Sequence, residues 1–225
     1  MLELAPFIIT AKLALITTLL LLVIGIPLAY WLAFSNSRAK IVIEALVAMP
    51  IVLPPSVLGF YLLIAFSPEN SFGKWLESNF DLRLVFSFPG LVIASIIYSL
   101  PFMVQPVQSG FQQLPRSLTD AAYTLGKSER TTLFKVLLPN IRASLITGAI
   151  LSFAHTVGEF GVVLMVGGNI QSETRLLSIA IYDEVEAMNY KAANGYSLIL
   201  LAFSFTVLLV VYMINFRQRR KLLLT

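Results

Sequence analysis

DAAYTLGKSERTTLFKVLLP, residues 120–139, is the most polar long stretch of an otherwise oily chain, and its reading decides the fold. The letters Gly126-Lys127-Ser128 suggest a phosphate-binding loop, whereas the surrounding residues suggest two short helices. A loop of the G-x-x-x-x-G-K-[ST] type needs a glycine-rich turn between a strand and a helix, so that backbone N–H groups can face phosphate. Its first glycine would fall at position 121, which is Ala121, and no strand pattern precedes it. Both facts count against the phosphate loop. Pro115 suits a first helical position, Asp120 is favourable in the early half of a helix, Ala121 and Ala122 keep one face flat, and Gly126 is a natural left-handed stop. Ser128 can cap a second helix with Glu129 in its first turn, and Leu133, Phe134, Val136, Leu137 and Leu138 supply an apolar face up to Pro139. The stretch predicts two short helices set at an angle, forming a knob.

The rest of the chain says what the knob stands on. Of 225 residues, 57% are hydrophobic and only 12% charged, and the mean hydropathy is +0.83. This is the composition of an integral membrane protein. With no cysteine there is no disulfide, thiolate metal site or cysteine nucleophile, and one histidine excludes a histidine-rich metal centre. No cofactor or metal is expected. A net charge of +4 makes no case for nucleic acid, because in such a chain the placement of Lys and Arg matters more than their sum. The first apolar run is too long for the core of a signal peptide and reads as a retained first span.

A bilayer core of about 30 Å needs roughly 20 apolar residues per helix, and five stretches qualify. They run over about 7–34, 41–66, 85–109, 141–166 and 193–216. Arg38 and Lys40, then Arg116, Lys127, Arg130, Lys135 and Arg142, then Arg217, Arg219, Arg220 and Lys221 all fall on one side of this arrangement. That side is cytoplasmic by the positive-inside rule, with the amino terminus outside and the carboxyl terminus inside. The outer loops, 67–84 and 168–195, hold most of the acids. In the second, Leu176, Leu177, Ile179, Ala180, Ile181, Val185 and Met188 recur at helical spacing and predict a short helix within 174–190. Such a helix could be interfacial, or it could be an outer gate or receptor contact. No internal repeat is visible, which weakens the case for a secondary carrier. Five spans that must surround a polar path would do so most simply as a symmetric homodimer.

At this point the chain resembles the integral-membrane subunit of ABC importers. The cytoplasmic loop of those proteins follows E-A-A, three residues, G, nine residues, I-x-L-P. Here the same spacing reads Asp120-Ala121-Ala122, Gly126, then Val136-Leu137-Leu138-Pro139, with Asp for Glu and Val for Ile. The resemblance implies a type I importer permease fold over residues 1–225 as a single transmembrane domain, with a coupling loop at about 111–140. It also implies that the loop docks into a cleft of a separate ATPase subunit and carries its closure to the spans. PIVLPPSVLGFYLL (50–63), YSLPFMVQPVQSGFQQLP (98–115) and VGEFGVVLMVGGNIQSETRLLSIAIYD (157–183) resemble the molybdate permeases, the ModB family, and their tungstate and sulfate relatives, and V-L-P-P followed by S-V-L-G-F-Y, with N-I-x-x-E-T-R, looks more like the molybdate branch than the sulfate one.

These stretches suit a path rather than a packed core. Pro50, Pro54 and Pro55 remove backbone donors in the second span and leave carbonyls unpaired, which a membrane tolerates only where protein or water satisfies them. A helix broken beside a pathway does that, although a single proline can also be a simple packing kink. Pro54, Pro55, Ser56, Ser99, Pro101 and Thr156 are pathway or gate candidates; the hydroxyls could equally bond to their own helix backbones. Gly158 and Gly161 flank Glu159 in the fourth span and are candidates for helix packing or a dimer contact. A carboxylate inside a bilayer is costly and would repel an oxyanion, so Glu159 reads as structural, protonated or hydrogen-bonded to a neighbouring span. His155, one turn earlier, reads as a satisfied buried histidine or as a proton switch linked to Glu159.

The expectation is an all-α integral membrane permease of five spans, a homodimer in the inner membrane, surrounded by lipid. It would translocate molybdate by alternating access, served by an extracytoplasmic molybdate-binding protein and two copies of a cytoplasmic ABC ATPase. Sulfate or tungstate are the alternative cargoes. A membrane anchor would not need a coupling knob, and a membrane-embedded enzyme would have to draw its acid-base groups from His155 and Glu159.

Overall fold

Long apolar runs in a medium without water must satisfy their backbone internally, and helices do so within one segment. The computed structural model describes residues 3–222, apart from the side chains of residue 215 and residues 217–222. The basic cluster Arg217, Arg219, Arg220 and Lys221 therefore lies outside the described side chains. Among the described residues there is no strand.

Helix α1, Ala5–Phe34, begins with Pro6 in its first turn, where the missing N–H costs nothing. Its 30 residues reach about 45 Å. After Arg38 the chain forms α2, Ala39–Val52, and α3, Pro55–Phe66, set at 114° to each other. Neither half alone is long enough to cross about 30 Å of hydrocarbon. The span expected over 41–66 is thus a sharply broken pair, as its prolines had suggested. Leu53 and Pro54, each preceding a proline, take extended conformations at the break, because proline disfavours the helical region in the residue before it. Pro50 differs from its expected role: it is buried inside α2, not at the break.

Helix α4, Ser71–Phe80, occupies the 67–84 loop, where the sequence had suggested no element. Helix α5, Phe88–Gln112, is the centre of the bundle, packed by α1, α2, α3 and the later helices described below. Its start is capped by Ser87, whose Oγ accepts the Gly90 N–H at 3.3 Å. Small residues let helices approach it: a Cβ at Gly25 or Gly148 would stand 2.7 or 3.1 Å from atoms of Met103.

The 120–139 stretch forms α6, Arg116–Thr124, then α7, Glu129–Thr132, a π-helical segment Leu133–Leu137, and α8, Leu138–Asn140. Helix α9, Arg142–Gly158, leaves Glu129–Asn140 at 76°. It then stops short of its predicted end. Glu159 has ψ 138°, and α10, Gly161–Gly167, starts after Phe160. Glu159 therefore sits at a helix break, not within a continuous span. Helix α11, Leu177–Glu186, lies where an outer helix was expected; Leu176, Leu177, Ile179 and Ala180 are buried, whereas Val185 and Met188 are exposed. Its start is anchored by Thr10 Oγ1, which accepts the Leu177 N–H at 2.9 Å. The last helix, α12, Tyr190–Leu222, leaves Leu198, Leu201 and Phe205 exposed along its length.

Helices α1, α5 and the Tyr190–Ile214 part of α12 are each long and apolar enough to cross a membrane, and counting each bent pair as one span raises the number from 3 to 5.

Candidate functional site

The two breaks meet. The N-terminal end of α10 packs on that of α3 so closely that a Cβ at Gly161 would stand 2.7 Å from the Pro55 Cβ. A cavity of about 560 Å³ opens beside them, lined by Pro55, Ser56, Tyr98, His155, Gly158 and Glu159, with Ala154, Phe160 and Gly161 completing the wall. Irregular backbone at membrane depth is tolerated where it lines such a cavity.

The other expected pathway residues fall differently. Pro54 is exposed at the break, and Pro101 is buried within α5. Ser99 and Thr156 do not line the cavity; both are fully buried between α5 and α9. There they form a chain of hydroxyls. Thr156 Oγ1 donates to the Ser152 carbonyl at 2.9 Å, and Ser99 Oγ lies 3.0 Å from Thr156 Oγ1 and 2.9 Å from His155 Nδ1. The His155 ring stacks on Phe102, with centroids 4.0 Å apart, and meets Tyr98 at 4.8 Å.

Glu159 is held by another serine. Ser95 Oγ donates to its Oε2 at 3.2 Å, and Ser178 Oγ donates to its main-chain carbonyl, tying α11 to the break. Its Oε1 is buried without a hydrogen-bond partner among the described residues. The expected helical neighbour relation of His155 and Glu159 is replaced, because Glu159 leaves the helix and the two side chains bond different serines of α5. Gly158 is exposed, and a Cβ there would meet nothing within 4 Å, so packing within this chain does not require a glycine. Tyr98, Ser95 and Ser178 were missed by the sequence reading. The i, i+4 spacing of Ser95 and Ser99 in an apolar run was the available signal for the first serine.

In the polar loop, Gly126 has φ +68°, its N–H donates to the Tyr123 carbonyl at 2.9 Å, and the Lys127 N–H donates to the Ala122 carbonyl at 3.0 Å. This is a Schellman stop. Ser128 Oγ accepts the Thr131 N–H at 3.3 Å, capping α7. Pro115 precedes the first helical residue instead of occupying it. Ala122 and Leu137 are buried, Val136 and Leu138 half-buried, and Asp120, Ala121, Gly126 and Pro139 exposed. Tyr123, Leu125 and Phe134 leave an exposed apolar surface around the turn, with Leu125 at 73%. Phe134, one of the residues expected on the apolar face, is exposed while Leu137 of the same set is buried. The knob is tied to α1 by Tyr30, whose hydroxyl donates to Glu129 Oε1 at 3.1 Å while its ring packs edge-on against Phe111.

Over residues 25–223 the chain matches the family described as binding-protein-dependent transport system inner membrane components. The chain belongs to this family. It is accordingly a transport-system permease subunit and not an enzyme. The molybdenum transport system permease protein ModB of Azotobacter vinelandii is 49% identical over 210 residues, 93% of each chain. The sulfate transport system permease protein CysT of Escherichia coli (strain K12) is 33% identical over 198 residues, 88% of this chain and 70% of that one. Among solved structures, the MetNI methionine ABC transporter matches with a TM-score of 0.71 at 16% identity, covering 93% of each chain. A bacterial ABC transporter that imports alginate matches with a TM-score of 0.70 at 16% identity, covering 97% of this chain and 80% of that one. At such identity these two speak for the fold alone, that of an ABC importer permease.

Proposed function

We propose that this permease subunit translocates molybdate across the inner membrane as a symmetric homodimer of five-span chains, with the amino terminus outside and the carboxyl terminus cytoplasmic. The observation that carries the cargo is the 49% identity to a molybdenum permease along 93% of both chains, against 33% to a sulfate permease. The cavity at the paired helix breaks is the path, reached from outside when an extracytoplasmic binding protein delivers the anion. The knob at Asp120, Ala121, Ala122, Gly126, Val136, Leu138 and Pro139 docks into an ATPase subunit, one per permease chain. Its exposed apolar residues support that role. ATP binding draws the two knobs together and favours the outward-open state, and hydrolysis returns the bundle inward. Pro54, Pro55 and Ser56 form the mobile wall of the path. Ser99, Thr156 and Pro101 support it from behind, and Glu159 holds α10 and α11 to α5.

The test is uptake of labelled molybdate by cells lacking this chain, with and without a plasmid that restores it, against a large excess of sulfate. Restored uptake that sulfate does not compete away is the expected result. Uptake abolished by sulfate would move the cargo to sulfate, which the relationship to CysT makes the second reading. A tungstate arm separates the remaining pair.

A further inference from the structure

Helix α4 carries an apolar face that this chain covers only in part. At about 3.6 residues per turn, Phe72, Gly73, Trp75, Leu76 and Phe80 share one side of it, and Ser71, Lys74, Glu77 and Ser78 the other. On the apolar side Gly73 is buried against the Phe66 and Ser67 carbonyls, with no room for a Cβ, and Leu76 packs on the cluster that holds Phe66 and Leu84. Phe72, Trp75 and Phe80 stay 48%, 52% and 64% exposed. Their rings form one strip: Phe72 stacks on Trp75 with centroids 6.4 Å apart, and Trp75 meets Phe80 edge-on at 5.4 Å. Asn79, which falls among them, turns its amide back to donate to the Trp75 carbonyl at 2.8 Å.

The depth of this strip is fixed from two directions. Phe72 meets Phe66, the last residue of α3, with centroids 6.3 Å apart, and Phe60, Tyr61 and Ile64 leave an exposed apolar surface on α3 leading up to that contact. On the other flank, Leu84 and Val85 pack in one cluster with Phe66 and Ala94, and the Leu84 carbonyl lies so close to Gly90, in the first turn of α5, that a Cβ there would collide with it. The 25 residues of α5 reach about 37 Å, against about 30 Å of hydrocarbon, so that first turn marks a boundary of the bilayer. The strip is therefore held where hydrocarbon gives way to headgroups. Tryptophan is favoured at that level because the indole has an apolar body and a polar N–H.

We propose that α4 is an interfacial anchor, lying in the plane of the membrane with Phe72, Trp75 and Phe80 inserted among the lipid headgroups. The bilayer is the occupant of this face because the strip continues the apolar surface of α3 and is pinned at the edge of the membrane by its own chain. The insertion is apolar, not electrostatic: residues 67–84 set Lys74 and Arg83 against Glu69, Glu77 and Asp81, so anionic lipid is not required. The anchor holds the end of α3 opposite Pro55 and Ser56, which line the cavity.

The chain has two tryptophans, Trp31 and Trp75. With the permease–ATPase complex in lipid discs, the emission of a Trp31→Phe permease minus that of a Trp31→Phe, Trp75→Phe permease isolates Trp75, whatever tryptophans the ATPase holds. The discs are made of phosphatidylcholine, either plain or brominated on one acyl chain, close to the headgroup or near the chain end. Loss of most of the Trp75 emission with the shallow bromines, a smaller loss with the deep ones and little effect of aqueous iodide are expected, with or without added phosphatidylglycerol. Emission that iodide quenches and neither brominated lipid does would overturn the anchor and leave α4 as a surface in water, open to a soluble protein partner. Emission that nothing quenches would overturn it in favour of a second copy covering the strip. A second arm keeps Trp75 and uses the absence of cysteine in this chain. In the same discs a charged maleimide is expected to label Ser78→Cys, on the polar side, and to leave Phe72→Cys unlabelled. Equal labelling rates at the two positions, with the complex assembled, would also overturn the proposal.

Discussion

Gly161 and Gly158 lie on either side of Glu159 and face opposite circumstances. A methyl group at Gly161 would press on the Pro55 Cβ at 2.7 Å, in a contact between two rigid backbones that cannot yield cheaply. Gly161→Ala is expected to cost about 1–3 kcal/mol, as overpacking does, and to lower the thermal unfolding midpoint of the purified complex. Glu159 poses a different question, because one oxygen has a serine donor and the other has none. Glu159→Gln keeps an oxygen for Ser95 and the carbonyl for Ser178, so assembly, ATPase coupling and uptake should all survive. If assembly and coupling survived but uptake were lost, the carboxyl group would have to act in translocation itself. Both residues were visible in the sequence as a glycine-flanked acid in an apolar run. Their unequal packing was not, because it depends on where α3 passes.

At the scale of elements, the knob was legible almost residue by residue. Left-handed Gly126 and capping Ser128 are local signals, set by backbone sterics and by the four unpaired N–H groups at a helix start. Gly126→Trp places a bulky side chain at a left-handed position on the exposed turn, where a Cβ meets nothing of this chain within 4 Å. Backbone strain of about 1–2 kcal/mol is expected, together with loss of ATPase co-purification while the permease still inserts. Retained co-purification would remove the turn from the interface. The π-helical segment at Leu133–Leu137 was not legible. Nor was the 114° angle between α2 and α3: Pro54 and Pro55 announce that a helix must break, but what packs against each half sets the angle.

In the whole molecule, exposed Gly158 lines the cavity, and in the homodimer proposed above a two-fold axis beside it would bring the same surface of a second copy against it. The chain has no cysteine, so Gly158→Cys introduces a unique thiol. A short bifunctional thiol reagent is expected to convert the variant, within the assembled transporter, to a covalent dimer. An assembled complex that yields no such dimer would put the two-fold axis elsewhere.

Membrane class, apolar segments, the knob and the proline break were determined by the sequence alone, since each rests on composition or on interactions between residues a few positions apart. Which groups share the cavity was decided only by the tertiary structure. Ser95 and Ser99 reach Glu159 and His155 across more than 50 positions of chain. The end of α9 at Gly158 likewise turns Glu159 away from the helical face that its spacing implied. Helical periodicity orders side chains around one axis, but bringing two helices and two breaks to one point is a property of packing, and no local pattern encodes it.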